Sequence, residues 1–88
     1  MDTQTSLTDY ITKELAIGRA KAIAPDDDLI ANGVLDSLGL MQLVLFIEEK
    51  LLIHIPDEDV VIDNFRTVRI LSTYLEQQRT AQESGRSA

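Results

Sequence analysis

Ser37 is the residue of this chain whose chemistry most needs an explanation, because it follows Asp36 and opens a long apolar segment. A serine becomes a nucleophile when a histidine or another base takes its proton. The only histidine, His54, comes after the apolar segment, on the far side of a helix from Ser37. The Gly-x-Ser-x-Gly pattern of a nucleophile elbow is also missing. The residues therefore exclude self-contained hydrolase chemistry. They favour Ser37 as a helix N-cap and His54 as a half-buried loop residue.

The acidic residues do not have the spacing of metal ligands. The run Asp26-Asp27-Asp28 lacks the pattern of a calcium loop, and the chain has no cysteine for a thiolate site or a disulfide. We therefore expect no metal site and interpret this run as a solvated turn.

Charge is distributed unevenly along the sequence. The formal net charge is −7, and residues 26–63 contain ten acidic residues and a single base, Lys50. Nucleic acid is excluded as a partner because phosphate binding needs clustered lysine and arginine. The acidic middle of the chain predicts that basic protein surfaces are its partners.

Length and composition predict one small domain. Eighty-eight residues with 44% hydrophobic and 26% charged side chains are ordinary for a soluble globular protein. The sequence has no apolar stretch that could span a bilayer, and MDTQTSLTDY lacks the features of a signal peptide. We expect a cytoplasmic monomer.

Apolar periodicity predicts an all-α bundle of three longer helices and one short one. The first helix begins near Ser6 and ends by Pro25, with an apolar stripe formed by Leu7, Ile11 and Leu15. A loop over residues 25–36 follows, and Asn32-Gly33 is its turn signal. Four apolar residues are expected to pin this loop to the core: Leu29, Ile30, Val34 and Leu35.

The other three helices follow Asp36. The second starts at Ser37 and runs to about Leu51. Pro56 suits the start of a short third helix over roughly residues 57–62, and Asn64 and Thr67 offer caps for the fourth. After Gln78 the sequence is small and polar, so we place the folded domain at residues 1–78 and a disordered tail at residues 79–88.

The second helix carries more apolar surface than one buried face requires, since eight of the ten residues from Leu38 to Ile47 are apolar. At about 100° per residue they fall into two groups. The expected core face contains Leu40, Leu43, Val44, Ile47 and Leu51. The second group contains Leu38, Met41 and Leu45. It is either an exposed binding surface or part of a helix that is buried all round, and periodicity alone leaves both open.

The segment GVLDSLGLMQLVLFIEEKLLIHIPDEDV resembles the phosphopantetheine-attachment region of acyl carrier proteins. The shared features are Asp36-Ser37-Leu38 at a helix start, the Glu48-Glu49 pair and the turn Ile55-Pro56-Asp57-Glu58. Residues 64–68, NFRTV, resemble the segment that leads into the family's last helix. The resemblance covers roughly residues 6–78.

The resemblance implies that Ser37 carries 4′-phosphopantetheine on its hydroxyl, and that cargo is held as a thioester on the thiol of this arm. Asp36 would lie beside it and contact the phosphopantetheinyl transferase and its metal. Other implied partners are a ligase that loads an acyl or aminoacyl group and downstream transferases or synthases. The expected partner-facing residues are Leu38, Met41, Gln42, Leu45, Glu48 and Glu49.

Two positions depart from the pattern of fatty-acid carriers. Many of those proteins have an acid where this chain has Gln42, and often another where it has Gly39. SLGLMQL is closer to the pattern of aminoacyl carriers, whereas IPDEDV resembles ordinary acyl carriers. Between these we favour aminoacyl cargo or acyl cargo of specialised biosynthesis. We therefore predict a non-catalytic carrier protein. The alternative is an unmodified helical interaction module in which Ser37 is only an N-cap.

Overall fold

Helices form the whole regular structure of the residues described. The computed structural model describes the backbone of residues 2–15 and 23–87 and the side chains as far as Glu83. No β-strand occurs in those ranges. The helices are α1 (Thr3–Tyr10), α2 (Ser37–Phe46), α3 (Ile62–Phe65) and α4 (Val68–Ser87). Both α1 and α2 continue as π-helical turns, over Ile11–Leu15 and Ile47–Leu51 respectively. The predicted all-α bundle of three longer helices and one short one is confirmed.

Helix α1 begins earlier than the sequence suggested. Its N-cap is Asp2, whose side chain accepts the backbone N–H of Thr5 at 2.7 Å. The predicted start near Ser6 is therefore wrong by about one turn, because an aspartate upstream of Ser6 satisfies the first free N–H groups. The predicted end of this helix, which was Pro25 at the latest, cannot be compared in full, because residues 16–22 are outside the described residues.

The loop before α2 is fastened to the body of the protein as predicted. Leu29, Val34 and Leu35 are buried and Ile30 is half-buried. Gly33 adopts a φ of 74°, which a glycine reaches without steric cost and which fits the predicted turn. The backbone N–H of Leu29 donates to the carbonyl of Arg66 at 2.8 Å, so the loop lies against the α3–α4 junction.

The predicted third helix over residues 57–62 is divided in two. Asp57–Asp59 forms a 3₁₀ turn, and α3 begins only at Ile62. Between them, Val61 has an extended backbone with φ of −130° and ψ of 155°. Two consecutive valines favour extended backbone over helix, which accounts for the interruption. The cap of α4 is one of the two predicted residues, since the Thr67 hydroxyl accepts the N–H of Ile70 at 3.0 Å.

A single core joins the four helices and the loop. Helix α4 packs along α1, and α3 packs against α4. From α2 and its continuation, Leu43 and Ile47 are fully buried, while Leu40, Val44 and Leu51 are partly buried. The other fully buried side chains include Leu7, Ile11, Leu29, Phe65, Val68, Leu71 and Leu75.

Helix α4 continues beyond the predicted boundary of the domain. The sequence predicted a disordered tail from residue 79, whereas the helix extends to Ser87. Gln82 bonds to both backbone groups of His54: its amide accepts the N–H at 3.2 Å and donates to the carbonyl at 2.9 Å. Arg79 donates to the Thr3 hydroxyl at 3.4 Å. The first part of the predicted tail therefore contacts the body of the protein.

Among the described residues, no helix has both the length and the apolar character needed to cross a membrane.

Candidate functional site at the start of helix α2

Ser37 is the first residue of α2, and its side chain is exposed. The N-cap is Asp36, with an extended backbone (φ −102°, ψ −173°) and a carboxylate that accepts the N–H of Gly39 at 2.7 Å. The prediction that Ser37 caps this helix is therefore wrong. Its hydroxyl is left outside the capping interaction and faces solvent, where a second molecule can reach it.

The backbone at this helix start is suited to a phosphate. The Asp36 carboxylate accepts the N–H of Gly39 at 2.7 Å. The Asp36 backbone carbonyl accepts the N–H of Leu40 at 2.8 Å. The N–H groups of Ser37 and Leu38 have no partner within the part of the chain that is described. Free N–H groups and the positive end of the helix dipole favour a bound anion. A phosphodiester on the Ser37 hydroxyl would lie beside both groups.

Gly39 is buried in the first turn and gives the Asp36 carboxylate its room. A Cβ atom at this position would lie 3.2 Å from Asp36 Oδ1 and 3.6 Å from Leu35 Cδ1. The first of these separations is tighter than an ordinary van der Waals contact, so the capping carboxylate would have to shift by a few tenths of an ångström to accommodate a side chain at residue 39. The departure from the fatty-acid pattern at Gly39 thus has a local structural consequence for Asp36.

The second apolar group of α2 lies on the surface. Leu38, Met41 and Leu45 are 67%, 58% and 54% exposed, whereas Leu43 and Ile47 are fully buried. A helix that is buried all round is therefore excluded. These three residues, which we call the exposed stripe, begin next to Ser37 and run along α2. Apolar side chains grouped this way on the surface of a small protein mark an interaction surface.

The predicted partner-facing acids have different surroundings. Glu49 is exposed, but Glu48 is half-buried and has intramolecular partners. Glu48 Oε2 lies 3.1 Å from His54 Nδ1 and accepts the backbone N–H of Ile55, also at 3.1 Å. Glu48 thus fastens the segment after α2 to the helix. His54 itself is exposed rather than half-buried as predicted, because its side chain projects outwards to Glu48.

Gln42 is exposed on α2 next to the exposed stripe. Its backbone carbonyl accepts the Tyr10 hydroxyl at 3.4 Å, and the Tyr10 ring stacks on Phe46 with centroids 4.1 Å apart. Burial raises the pKa of Tyr10, and the nearby Glu14 carboxylate adds to this. These contacts fix α1 against α2 and leave the Gln42 side chain directed away from the core.

The acidic loop is partly neutralised by arginines that follow in the sequence. Asp26 forms a bidentate pair with Arg69, at 2.6 and 3.1 Å, and Asp28 pairs with Arg66 at 3.2 Å. The hydrogen bond from Arg69 lowers the pKa of Asp26. For Asp28, the hydrogen bond from the Ala31 N–H is the main cause of the lowered pKa, and Arg66 contributes. The expected solvated turn is therefore an anchored one.

Sequence reasoning also missed the contact between Tyr74 and Asp59. The Tyr74 hydroxyl donates to the Asp59 carboxylate, and the Asn64 side chain donates to the Asp59 carbonyl at 2.8 Å. Burial and the Asp59 carboxylate together raise the pKa of Tyr74. These bonds hold the 3₁₀ turn against α4. No sequence pattern signals a pairing between residues that are this far apart.

No group of three or more potential metal ligands comes together in the described residues. His54 follows the end of α2 and Ser37 begins it, so the two lie roughly 20 Å apart by the rise of the helix. The structure does not bring them together. Asp36, Ser37 and Leu38, the first residue of the exposed stripe, in contrast, are adjacent at the start of α2.

Comparison with known proteins gives a consistent result. A family model described as a phosphopantetheine attachment site matches residues 5–75. An acyl carrier protein of Helicobacter hepaticus is 33% identical over 76 residues, covering 86% of this chain and 96% of the relative. An acyl carrier protein of Syntrophobacter fumaroxidans is 31% identical over 78 residues, covering 89% of this chain and 93% of the relative.

Proposed function

Because the chain belongs to the phosphopantetheine-attachment family of acyl carrier proteins, we propose that it is a carrier of acyl or aminoacyl groups and that Ser37 is its attachment site. Phosphopantetheine is the prosthetic group of this family, and it supplies a thiol on which cargo is held as a thioester. The chain itself has no cysteine, so this thiol chemistry would belong to the arm.

The observation that carries the proposal is the exposed Ser37 hydroxyl at the first position of α2. Asp36 takes the capping role, which leaves Ser37 accessible to a transferase and leaves two backbone N–H groups beside it for the phosphate. Asp36 is also exposed, in a position from which it can contact the transferase and its metal. We propose a carrier role rather than a catalytic one, and the position of the single histidine, His54, beyond the far end of α2 from Ser37 supports this.

The attachment test is an intact mass measurement. The protein is incubated with coenzyme A and a broad-specificity phosphopantetheinyl transferase, and we expect one phosphopantetheine adduct. Ser37→Ala should gain none, and Ser6→Ala, which removes a serine from α1, should be modified like the wild type. An unmodified wild-type chain would instead support a helical interaction module without a prosthetic group. An adduct on Ser37→Ala would show that another residue is the attachment site.

We propose further that partner enzymes bind along α2. The exposed stripe supplies apolar contact area next to Ser37, while Gln42 and Glu49 border it. The partners by family are a phosphopantetheinyl transferase, a loading ligase and downstream transferases or synthases. Acidic side chains around an apolar stripe favour basic docking surfaces. The monomeric state and the cytoplasmic location remain predictions.

The cargo is proposed to be aminoacyl or a specialised acyl group rather than a fatty acyl chain. Gln42 supports this, because it stands exposed where many fatty-acid carriers have an acid. A malonyl transferase of fatty-acid synthesis should load the modified wild-type protein poorly and the modified Gln42→Glu variant better. Efficient loading of the wild type, with no gain from Gln42→Glu, would contradict the cargo assignment and leave the carrier role intact.

A further inference from the structure

Leu52, directly after the π-helical turn that ends α2, combines two unfavourable features. Its backbone is left-handed, with φ of 59° and ψ of 36°, and its side chain is 73% exposed. Among the described residues it alone, apart from glycine, has a positive φ. Glycine or asparagine usually occupies this position after a helix, since a Cβ atom strains left-handed backbone. A large aliphatic side chain there adds exposed apolar surface.

The surrounding contacts explain why the chain turns at Leu52. On its C-terminal side, Ile53 and Ile55 are buried, at 1% and 2% exposure. Gln82 holds both backbone groups of His54, and Glu48 holds the N–H of Ile55. These bonds fix the backbone that follows and so impose the left-handed turn. They do not require leucine, because none of them uses the Leu52 side chain.

A groove of about 340 Å³ lies beside Leu52, between the end of α2 and the last third of α4. Leu51 and Leu52 are its apolar lining residues, and the polar ones are Lys50, Arg79, Gln82 and Glu83. It lies at the opposite end of α2 from Ser37, roughly 20 Å away by the rise of the helix. The groove is therefore separate from the attachment site.

The charge of the groove is opposite to that of the segment around it. Lys50 is the only base in residues 26–63, which contain ten acids. It is exposed and forms no ion pair within the described residues. Arg79 lines the same groove from α4, and one of its guanidinium nitrogens also donates to the Thr3 hydroxyl at 3.4 Å. Two cations thus face one carboxylate, Glu83, in a chain whose formal net charge is −7. A ligand with carboxylates and an apolar face would complement this arrangement.

We propose that this groove is a second docking surface, which binds an acidic amphipathic helix of a partner protein. The apolar face of that helix would lie on Leu51 and Leu52, and its carboxylates would pair with Lys50 and Arg79. Helices that lie in grooves are recognised through apolar anchors on one face. Binding would then explain why a leucine occupies this strained and exposed position, because its side chain would be an apolar anchor for the partner helix. The surface would hold a partner enzyme while leaving the Ser37 end of α2 free, and it does not depend on the modification of Ser37.

The test is a titration of isotope-labelled protein, followed by NMR, with a synthetic helical peptide of glutamates and leucines at amphipathic spacing. We expect this peptide to shift the resonances of Lys50, Leu52 and Arg79. A matched peptide with lysine in place of each glutamate should leave these resonances unchanged. Leu52→Asn keeps a residue that tolerates the left-handed backbone and removes the apolar anchor, so it should weaken binding about tenfold or more.

Charge reversal supplies the second measurement. Lys50→Glu should weaken binding of the acidic peptide, whereas Lys13→Glu, which reverses an exposed lysine on the turn after α1, should not. Leu52→Asn should accept phosphopantetheine at the wild-type rate, and Lys50→Glu should accept it at least as fast, because it adds an acid beside Glu49. Absence of binding, or shifts confined to another surface, would overturn the proposal. So would unfolding of Leu52→Asn at a clearly lower denaturant concentration than the wild type, because leucine would then have a structural role.

Discussion

The Asp36 carboxylate accepts the backbone N–H of Gly39 at 2.7 Å, so the cap of α2 is supplied by the residue before the candidate attachment site. This pairing separates two roles that adjacent polar residues could have shared. Asp36 stabilises the helix, and the Ser37 hydroxyl is free for chemistry. Substitutions at the two positions should therefore have different effects.

Ser37→Ala should unfold at nearly the wild-type denaturant concentration and gain no phosphopantetheine adduct. Asp36→Ala should lose about 0.5–2 kcal/mol of unfolding free energy, the usual cost of removing an N-cap. Asp36→Asn keeps a side-chain oxygen for the Gly39 N–H and should retain most of the stability, which makes it the matched control. Equal destabilisation by Ser37→Ala and Asp36→Ala, measured by chemical denaturation, would contradict the assignment of the cap.

The sequence determined the core more reliably than the ends of its helices. The spacing of Leu43 and Ile47 places both on one face, and both are fully buried. The sequence favoured Ser37 as the cap of α2, and this prediction was wrong. Asp36 and Ser37 are both good N-cap residues, and only the extended backbone of Asp36 distinguishes them. The exposure of Met41 depends on how many neighbours cover α2, which is a property of the packed bundle.

Contacts between residues that are distant in the sequence were the other feature that could not be predicted. Gln82 lies in a polar segment that predicted disorder, yet it bonds to the backbone of His54. Arg66 and Arg69 pair with the acidic loop some forty residues before them, and the sequence contains no periodic signal for such pairs. Charge counted along the chain therefore overestimated how much of the acidic segment is unpaired.

The hydrogen bonds that Asp28 accepts, first from the Ala31 N–H and then from Arg66, predict a pH-dependent contribution to stability. The pKa of Asp28 is lowered on folding, so its contribution is fully present above the ordinary value of 3.8 and is lost as the pH falls through the folded-state value. Asp28→Asn should therefore be less stable than the wild type at neutral pH. The difference should shrink as the pH falls below 3.8. Denaturant midpoints measured across this range test it, and a constant difference would contradict the linkage.

Association with the phosphopantetheinyl transferase should be steered by exposed acids such as Glu49, on the π-helical turn that continues α2. The on-rate should fall as salt rises, since the Debye length decreases from about 10 Å at 0.1 M to about 3 Å at 1 M. Glu49→Lys should slow association further, because Glu49 is exposed. Glu48→Lys would not test steering alone, because it also removes the acceptor of the Ile55 backbone N–H. Glu48→Gln is the better variant, since its side-chain oxygen can still accept that N–H. Stopped-flow on-rates that change neither with salt concentration nor with Glu49→Lys would exclude electrostatic steering.

The exposed stripe should matter for modification more than for folding. Leu43→Ala and Ile47→Ala should each cost about 2–5 kcal/mol of unfolding free energy, as large-to-small core substitutions do. Met41→Ala and Leu45→Ala should cost well under that, because an exposed side chain leaves no cavity. They should nevertheless slow phosphopantetheine transfer to Ser37, since apolar anchors supply short-range contact with the partner. Unfolding and transfer rate are measured on the same variants; unchanged transfer per folded molecule would show that the stripe is not a partner contact.

The extension of α4 past Gln78 includes Arg79 and Gln82, which both contact the body of the protein. Truncation after Glu83 removes only residues 84–88 and should leave the thermal midpoint nearly unchanged. Truncation after Gln78 also removes Arg79 and Gln82. It should cost about 1–3 kcal/mol, because each hydrogen bond contributes about 0.5–1.5 kcal/mol net. Gln82→Ala in the full chain should account for most of that loss, since Gln82 makes both bonds to His54.

All three variants should still accept phosphopantetheine, because Ser37 lies at the other end of α2. Equal stability of the wild type and the chain ending at Gln78 would show that the contacts of Arg79 and Gln82 contribute nothing in solution, and the boundary predicted from composition would then be correct.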